Sequence, residues 1–202
     1  MLAAPHKIGL TGGIGAGKSK VGELFKLLGI PVYEADRHAC RLIEQDQELI
    51  KGLQAALGAG IYNPDQTLNK RALAASIFKD PQKLATLNQW VHPKVLQDFN
   101  AWAVAQPYAP YVIKEAAILL DTGRYKQLDK LIVVTAPEWL RKKRVQKRDS
   151  HKTEEEIKAV MQNQWKDTQR VRYADFIIHN DEKAALMPQV RQIHQALLSM
   201  EQ

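Results

Sequence analysis

Between residues 12 and 19 the chain reads Gly-Gly-Ile-Gly-Ala-Gly-Lys-Ser, a complete G-x-x-x-x-G-K-[ST] pattern. The residue types explain what such a run can do. Gly12, Gly13, Gly15 and Gly17 admit backbone conformations closed to other residues, so the N–H groups of the loop, with Ile14 and Ala16 between them, can turn inward around a phosphate. A helix that follows points the positive end of its dipole at the same anion. Lys18 would reach the β- and γ-phosphates of a nucleotide as a point charge. The Ser19 hydroxyl would hold Mg²⁺, which takes few protein oxygens and completes its shell with phosphates and water. The bland reading is a glycine-rich turn joining a strand to a helix, and Lys-Ser in register counts against it. The dinucleotide fingerprint G-x-G-x-x-G fails, because Gly13 and Gly15 would require glycine where Lys18 stands.

A phosphate loop alone does not separate kinases from nucleotide switches and motors. The switch motifs Asp-x-x-Gly and Asn-Lys-x-Asp are not matched: Asp121-Thr122-Gly123-Arg124 has its glycine one position early, and Asn69-Lys70-Arg71-Ala72 lacks the aspartate. A kinase needs an acceptor site and a cationic cover. Asp36, in Glu34-Ala35-Asp36 just past a short strand, could align an acceptor hydroxyl and take its proton. It could equally cap the following helix, and position alone leaves the two readings even. Arg141, Arg144 and Arg148 fall at i, i+3 and i+7, which predicts three guanidinium groups on one helix face, suited to phosphate oxygens. A solvated basic surface is the alternative, and it suffices for Lys142, Lys143 and Lys147. Glu115 closes the apolar run Tyr111–Lys114, where a carboxylate could hold Mg²⁺ through water or pair locally with Lys114.

The elements that must position these groups follow from periodicity. Lys7–Thr11 suits a buried parallel strand; Val21, Leu24, Phe25 and Leu28 line one face of a helix that Gly29 and Pro31 end; Val32–Glu34 is a second strand. Helical periods then dominate from Leu42 to Leu57, Lys70 to Phe78, and Leu84 to Ala105, with a break predicted at His92-Pro93. Strands are expected over Tyr111–Leu120, Lys130–Thr135 and Phe176–His179, a capped charged helical stretch over Thr153–Tyr173, and a closing helix with Leu186, Val190, Ile193, Leu197 and Met200 inward. Strands alternating with helices give an α/β fold around a parallel sheet, with a helical insertion. Trp90 and Trp102 are expected in the core of that insertion.

Composition bounds the rest. With 202 residues, 45% of them apolar and 25% charged, the chain is an ordinary globular protein. No apolar run reaches the roughly 20 residues that span a bilayer, and the N-terminus does not read as a signal peptide, so a cytoplasmic protein is expected. Cys40, the single cysteine, is expected to be a buried or half-buried hydrophobe. The net charge of +7 owes much to Arg141, Lys142, Lys143, Arg144, Lys147, Arg148 and Lys152. No basic–aromatic interleaving accompanies them, so neither nucleic acid nor membrane is the expected partner.

Taken in order, Leu10–Ser19, the Ala-Asp at 35–36, His92-Pro93, Ile118-Leu119-Leu120-Asp121, Arg144 to Arg148-Asp149, and Ala174-Asp175-Phe176-Ile177-Ile178-His179-Asn180 closely resemble the dephospho-CoA kinase family. The resemblance runs nearly end to end. It implies ATP-dependent phosphorylation of the ribose 3′-hydroxyl of dephospho-CoA, the last step of coenzyme A synthesis, with Mg²⁺; a monomer is expected, although the sequence carries no signal for oligomeric state. It also implies a three-layer α/β/α core (1–35, 108–140 and 166–202), a helical substrate domain (36–107) and a helical lid (141–165). By position, Asp36 resembles the family's catalytic aspartate and Lys18 and Ser19 its phosphate and Mg²⁺ ligands. Arg144 and Arg148 resemble its lid arginines, Arg71 and His92 its acceptor-domain residues, and Asn180 the loop framing the adenine. Arg71 and His92 also fit an ordinary surface position and a helix break. Departures from the family pattern are Lys20, Glu34, Ala116-Ala117, Asp121 and Asp181-Glu182, and none removes a group the chemistry needs. The competing readings are a nucleoside or nucleotide kinase on the same scaffold, and a regulatory ATPase or RNA-binding module.

Overall fold

The computed structural model of the protein describes residues 4–78, 80–150 and 153–200, which leaves Lys152 of the basic run outside the described residues. Five parallel strands form one sheet in the order β2-β3-β1-β4-β5: β1 (His6–Thr11), β2 (Val32–Glu34), β3 (Tyr111–Glu115), β4 (Lys130–Thr135) and β5 (Phe176–His179). Their near-continuous apolar sequences are what strands covered on both faces require, and Tyr111, Val112, Ile113, Ile132, Val133 and Val134 are all fully buried. Because the strands run parallel, their carboxyl ends share one edge, where Leu10 is in register with Glu115 and Glu115 with Glu34.

Helices α1 (Lys18–Leu27) and α9 (Leu186–Leu198) pack Val21, Phe25, Val190, Ile193 and Leu197 onto Ile8, Leu10, Ile113, Ile132 and Val134. Gly29, at φ 80°, ends α1 as its sequence foretells. The Tyr111 hydroxyl meets His194 Nδ1 of α9 at 2.6 Å. Helices α6 (Glu138–Arg148), α7 (Glu154–Gln162) and the short α8 (Asp167–Arg170) fall between β4 and β5 in the chain. The chain divides into two compact units, Met1–Glu34 with Ala103–Gln202, and Ala35–Trp102. The second unit holds α2 (Ala35–Gln45), α3 (Gln47–Leu57), α4 (Lys70–Phe78) and most of α5 (Pro81–Val104). Within it, Asp98 of α5 binds Arg41 and His38 of α2, and Lys94 of α5 binds Glu48 and Asp46. No helix among the described residues is long and apolar enough to cross a membrane.

Several expectations are corrected. The strand foreseen to Leu120 stops at Glu115, since β1 turns away into the glycine loop after Thr11 and the chain beyond has no ladder partner; it curls into turns through Gly123. The helix foreseen from Leu42 to Leu57 is broken at Asp46, whose carboxylate caps α3 by accepting from Leu49 N at 2.8 Å. The break foreseen at His92-Pro93 does not occur, and α5 passes through Pro93. An interior proline costs about 3 kcal/mol, and the buried stripe of Leu87, Val91, Val95, Phe99 and Ala103 at four-residue spacing offsets it. The stretch Thr153–Tyr173 starts with the foreseen capping box of Thr153 and Glu156 but is interrupted after Gln162. Cys40 is exposed, on the outward face of α2, and not a core hydrophobe. Trp90 is partly exposed and lies flat against Gly52, where any side chain would collide with its ring.

Candidate active site

The loop between β1 and α1 gathers most of the foreseen groups. Gly17 is the N-cap of α1 in the left-handed region (φ 96°) and Gly15 has φ 77°, conformations that L side chains resist. Gly17 also leaves space for Asn180, whose Nδ2 donates to Ala16 O at 2.8 Å while its backbone N–H donates to Thr135 O. Lys18 Nζ donates to Gly12 O at 3.1 Å and lies 3.5 Å from Gly13 O. The ammonium is therefore held over the loop itself.

Ser19 Oγ donates to Glu115 Oε1 at 2.8 Å, a pairing that the adjacency of β1 and β3 enforces. Glu115 is 9% exposed. A hydroxyl and a carboxylate side by side are hard oxygen donors of the kind Mg²⁺ takes. Among the described residues no group of three or more His, Cys, Asp or Glu could cage a metal. The donor set thus fits an ion that draws the rest of its shell from phosphate and water.

Arg144 and Arg148 line a pocket of about 240 Å³ together with Gly15, Gly17, Lys18 and Ser19. Arg144 donates from Nη1 to Asn180 O (3.1 Å) and from Nη2 to Asn180 Oδ1 (3.2 Å), and pairs with Glu182 at 3.3 Å. Arg148, 64% exposed along its side chain, is bound bidentately by Asp149 at 2.8 and 2.9 Å, and that hydrogen bonding raises its pKa. Lys142 pairs with Glu154 and belongs to the surface, as foreseen.

Arg141 departs from its expected place beside them. It is 6% exposed and donates from Nη1 to Asp167 Oδ1 at 3.0 Å. Arg170, which nothing in the local sequence singled out, is fully buried and donates to the same oxygen at 3.2 Å. Desolvation depresses the Arg170 pKa, with Asp167 and Asp121 opposing. A Cβ on Gly13 would collide with Arg141 Nη1 and come within 2.8 Å of Arg170 Nη1. Gln164 Oε1 accepts from Ile14 N at 2.9 Å. Arg141, Gln164 and Asp167 also line a larger cavity of about 670 Å³ with Trp165 and Lys158. Sequence reasoning missed Gln164, Asp167 and Arg170 because their meeting with the loop spans about 150 positions and follows no motif.

Three foreseen residues belong to the second unit. Asp36 is exposed in the first turn of α2, inside the helix and not at its N-cap, which removes the simplest capping role. Arg71 is exposed in the first turn of α4, and His92 is half-buried midway along α5.

Comparison with known proteins places this arrangement. The family model for dephospho-CoA kinases matches residues 6–185. A dephospho-CoA kinase of Chlorobaculum tepidum is 37% identical over 203 residues, covering 97% of each chain. The crystal structure of TT1252 from Thermus thermophilus superposes with a TM-score of 0.80 at 30% identity, covering 98% of each chain. The dephospho-CoA kinase from Campylobacter jejuni gives 0.63 at 23% identity over 96% of this chain and 98% of its own, and shares the three-layer α/β/α fold.

Proposed function

The chain belongs to the dephospho-CoA kinase family, and from that premise we propose how its residues divide the work of moving the γ-phosphate of ATP to the ribose 3′-hydroxyl of dephospho-CoA. The enzyme is a phosphotransferase of coenzyme A synthesis. The observation that carries the reading is the loop Gly12–Ser19 at the carboxyl edge of a parallel sheet, the edge where α/β proteins bind their ligands.

The amides of the loop and the dipole of α1 bind the β- and γ-phosphates, and Lys18 exchanges its two carbonyl contacts for phosphate oxygens. Ser19 and Glu115 would hold Mg²⁺, the serine by its hydroxyl and the glutamate through water, and the chemistry such an ion would supply there is neutralisation of phosphate charge. Asn180 keeps Ala16 and Gly17 in their turn and frames the adenine side. Asp36 accepts the proton of the acceptor hydroxyl and aligns it for in-line attack. Its support is its place two residues after Glu34, which is in register with Glu115. Arg144 and Arg148 leave Asn180, Glu182 and Asp149 for the phosphoryl oxygens as charge develops. Arg71 and His92 contact the dephospho-CoA.

The test is ADP release measured with and without dephospho-CoA. Release dependent on that acceptor is expected, and release indifferent to it, or restored only by a nucleoside monophosphate, overturns the reading. Asp36→Asn should lower kcat by about 10²–10⁴ while ATP still binds; undiminished turnover would remove Asp36 from the mechanism.

A further inference from the structure

Three cations converge on a single glycine of the loop. Lys18 Nζ lies 3.5 Å from Gly13 O, and the guanidinium groups of Arg141 and Arg170 occupy the space a Gly13 side chain would need. One carboxylate oxygen, Asp167 Oδ1, serves both arginines. Arg170 has no exposed surface, yet among the described residues its Nε and Nη2 meet no hydrogen-bond acceptor, and neither does Nε of Arg141. Buried guanidinium N–H groups are ordinarily satisfied, because a donor taken from water without a replacement is costly. An unspent set of donors beside a ring of inward-turning amides is the signature of an anion site. The segment that carries the arginine also supplies Gln164, whose side chain already accepts from the amide of Ile14, the residue after Gly13.

We propose that Arg170, locked by Asp167 alongside Arg141 against Gly13, is a fixed ligand for the terminal phosphate of ATP and for the phosphoryl group in transfer. This rests on the loop being the ATP site. It adds to that reading a static pair of arginines, set in place before substrate arrives, next to the movable Arg144 and Arg148. Asp167 accepts from both guanidinium groups, and Arg170, which has no exposed surface in this arrangement, meets the phosphate oxygens once Gln164 yields the amide of Ile14 to them. The site then discriminates triphosphate from diphosphate by a contact that ADP lacks.

The experiment compares binding of ADP and of the non-hydrolysable analogue AMP-PNP, both with Mg²⁺, by calorimetry, in the wild type, Arg170→Met and Arg170→Lys, together with kcat. The expected result is ADP affinity within about threefold of wild type, AMP-PNP affinity lowered at least tenfold, and kcat lowered at least a hundredfold in Arg170→Met, with partial recovery in Arg170→Lys. Equal losses for both nucleotides, or an unchanged AMP-PNP to ADP ratio in a folded variant, would make Arg170 a structural strut and overturn the proposal. Should Arg170→Met not fold, the wild type decides: the Arg170 Nε–H resonance, assigned with Arg170→Lys, should shift with saturating AMP-PNP and stay with ADP. A resonance indifferent to AMP-PNP overturns the proposal. A wild type that binds neither nucleotide overturns the loop reading itself, and this proposal with it.

Discussion

Arg144 and Arg148 line the pocket over the loop, each partly or mostly exposed and held by its own partners, while Arg141 of the same helix and Arg170 of α8 are buried and share one carboxylate. On the proposed reading the first pair exchanges Asn180, Glu182 and Asp149 for phosphate, one set of polar partners for another. Ordering such side chains costs up to about 2 kcal/mol of rotamer entropy each. The second pair met its ordering and desolvation costs during folding. Catalysis by electrostatics favours groups fixed before charge develops, whereas closing a site over its substrate favours groups that can swing. One helix supplies members of both classes: Arg141 and Arg148, seven residues and nearly two turns apart, share a face, but only Arg141 packs against Asp167 of α8, while Arg148 lies at the helix end beside Asp149.

The sharpest way to break this contrast is to remove the carboxylate that the buried pair shares. Asp167→Asn leaves two adjacent guanidinium groups with little compensation beyond Asp121, and a loss of about 3–5 kcal/mol in unfolding free energy is expected. Urea denaturation measures it. A loss below about 1 kcal/mol would mean that water reaches the cluster and that the arginines are not a rigid pair.

Arg148→Ala tests the movable class. A kcat lowered about a hundredfold corresponds to about 2.7 kcal/mol of transition-state stabilisation. ADP affinity and the denaturation midpoint should stay at wild-type values, because the side chain is mostly exposed and its partner among the described residues is its neighbour Asp149. Parallel losses in ADP affinity and kcat would reassign Arg148 to ground-state binding.

The contrast also explains what the sequence could and could not disclose. The loop from Gly12 to Ser19 was legible because phosphate binding dictates glycine, lysine and hydroxyl at fixed local spacing, and Glu115 because it closes an apolar strand, though only the pairing of β1 with β3 brings it to Ser19. Heptad-like spacing placed Arg141, Arg144 and Arg148 on one face, but a face has width, and only packing against Asp167 shows that its edge is buried. Arg170 and Gln164 carry no local signal, as their roles arise where residues 150 positions apart meet. Boundaries failed for the same reason. The β-rich run after Glu115 had the composition of a strand but no partner, and Pro93 had the chemistry of a helix end but a buried stripe that holds α5 through it.

Lys114 is a third buried cation, one residue before Glu115 and therefore directed to the other face of the sheet. Desolvation, with Arg124 and Lys7 adding repulsion, lowers its pKa to about 8 from 10.5. Between those two values the unfolded chain binds more protons than the folded one, so this group makes stability rise as pH increases from about 8 to 10.5. Lys114→Met should be more stable than wild type at pH 7, and the difference should shrink across that window. A pH-independent difference would show that the wild-type lysine is charged in the fold. No nucleotide effect is expected, which separates burial as such from burial beside the loop.

Asp149→Asn is the counterpart of Asp167→Asn at the exposed pair and should be the mildest of these changes. The chemical alteration is the same, a carboxylate made neutral, but Asp167 serves two buried arginines and Asp149 a single exposed one. The arginine of this pair is exposed although the Asp149 side chain is only 16% so, and with an exposed pair worth at most about 1 kcal/mol the unfolding free energy should move by about that much, well short of the Asp167→Asn loss. In about 1 M salt, where the screening length falls to about 3 Å, this difference should shrink, while the Asp167→Asn deficit should persist because charges with little water around them are screened far less. Turnover should fall far less than in Arg148→Ala, since the arginine remains free to meet the phosphate. Equal stability losses for the two carboxylate changes, or equal sensitivity to salt, would show that burial does not separate the two pairs of arginines.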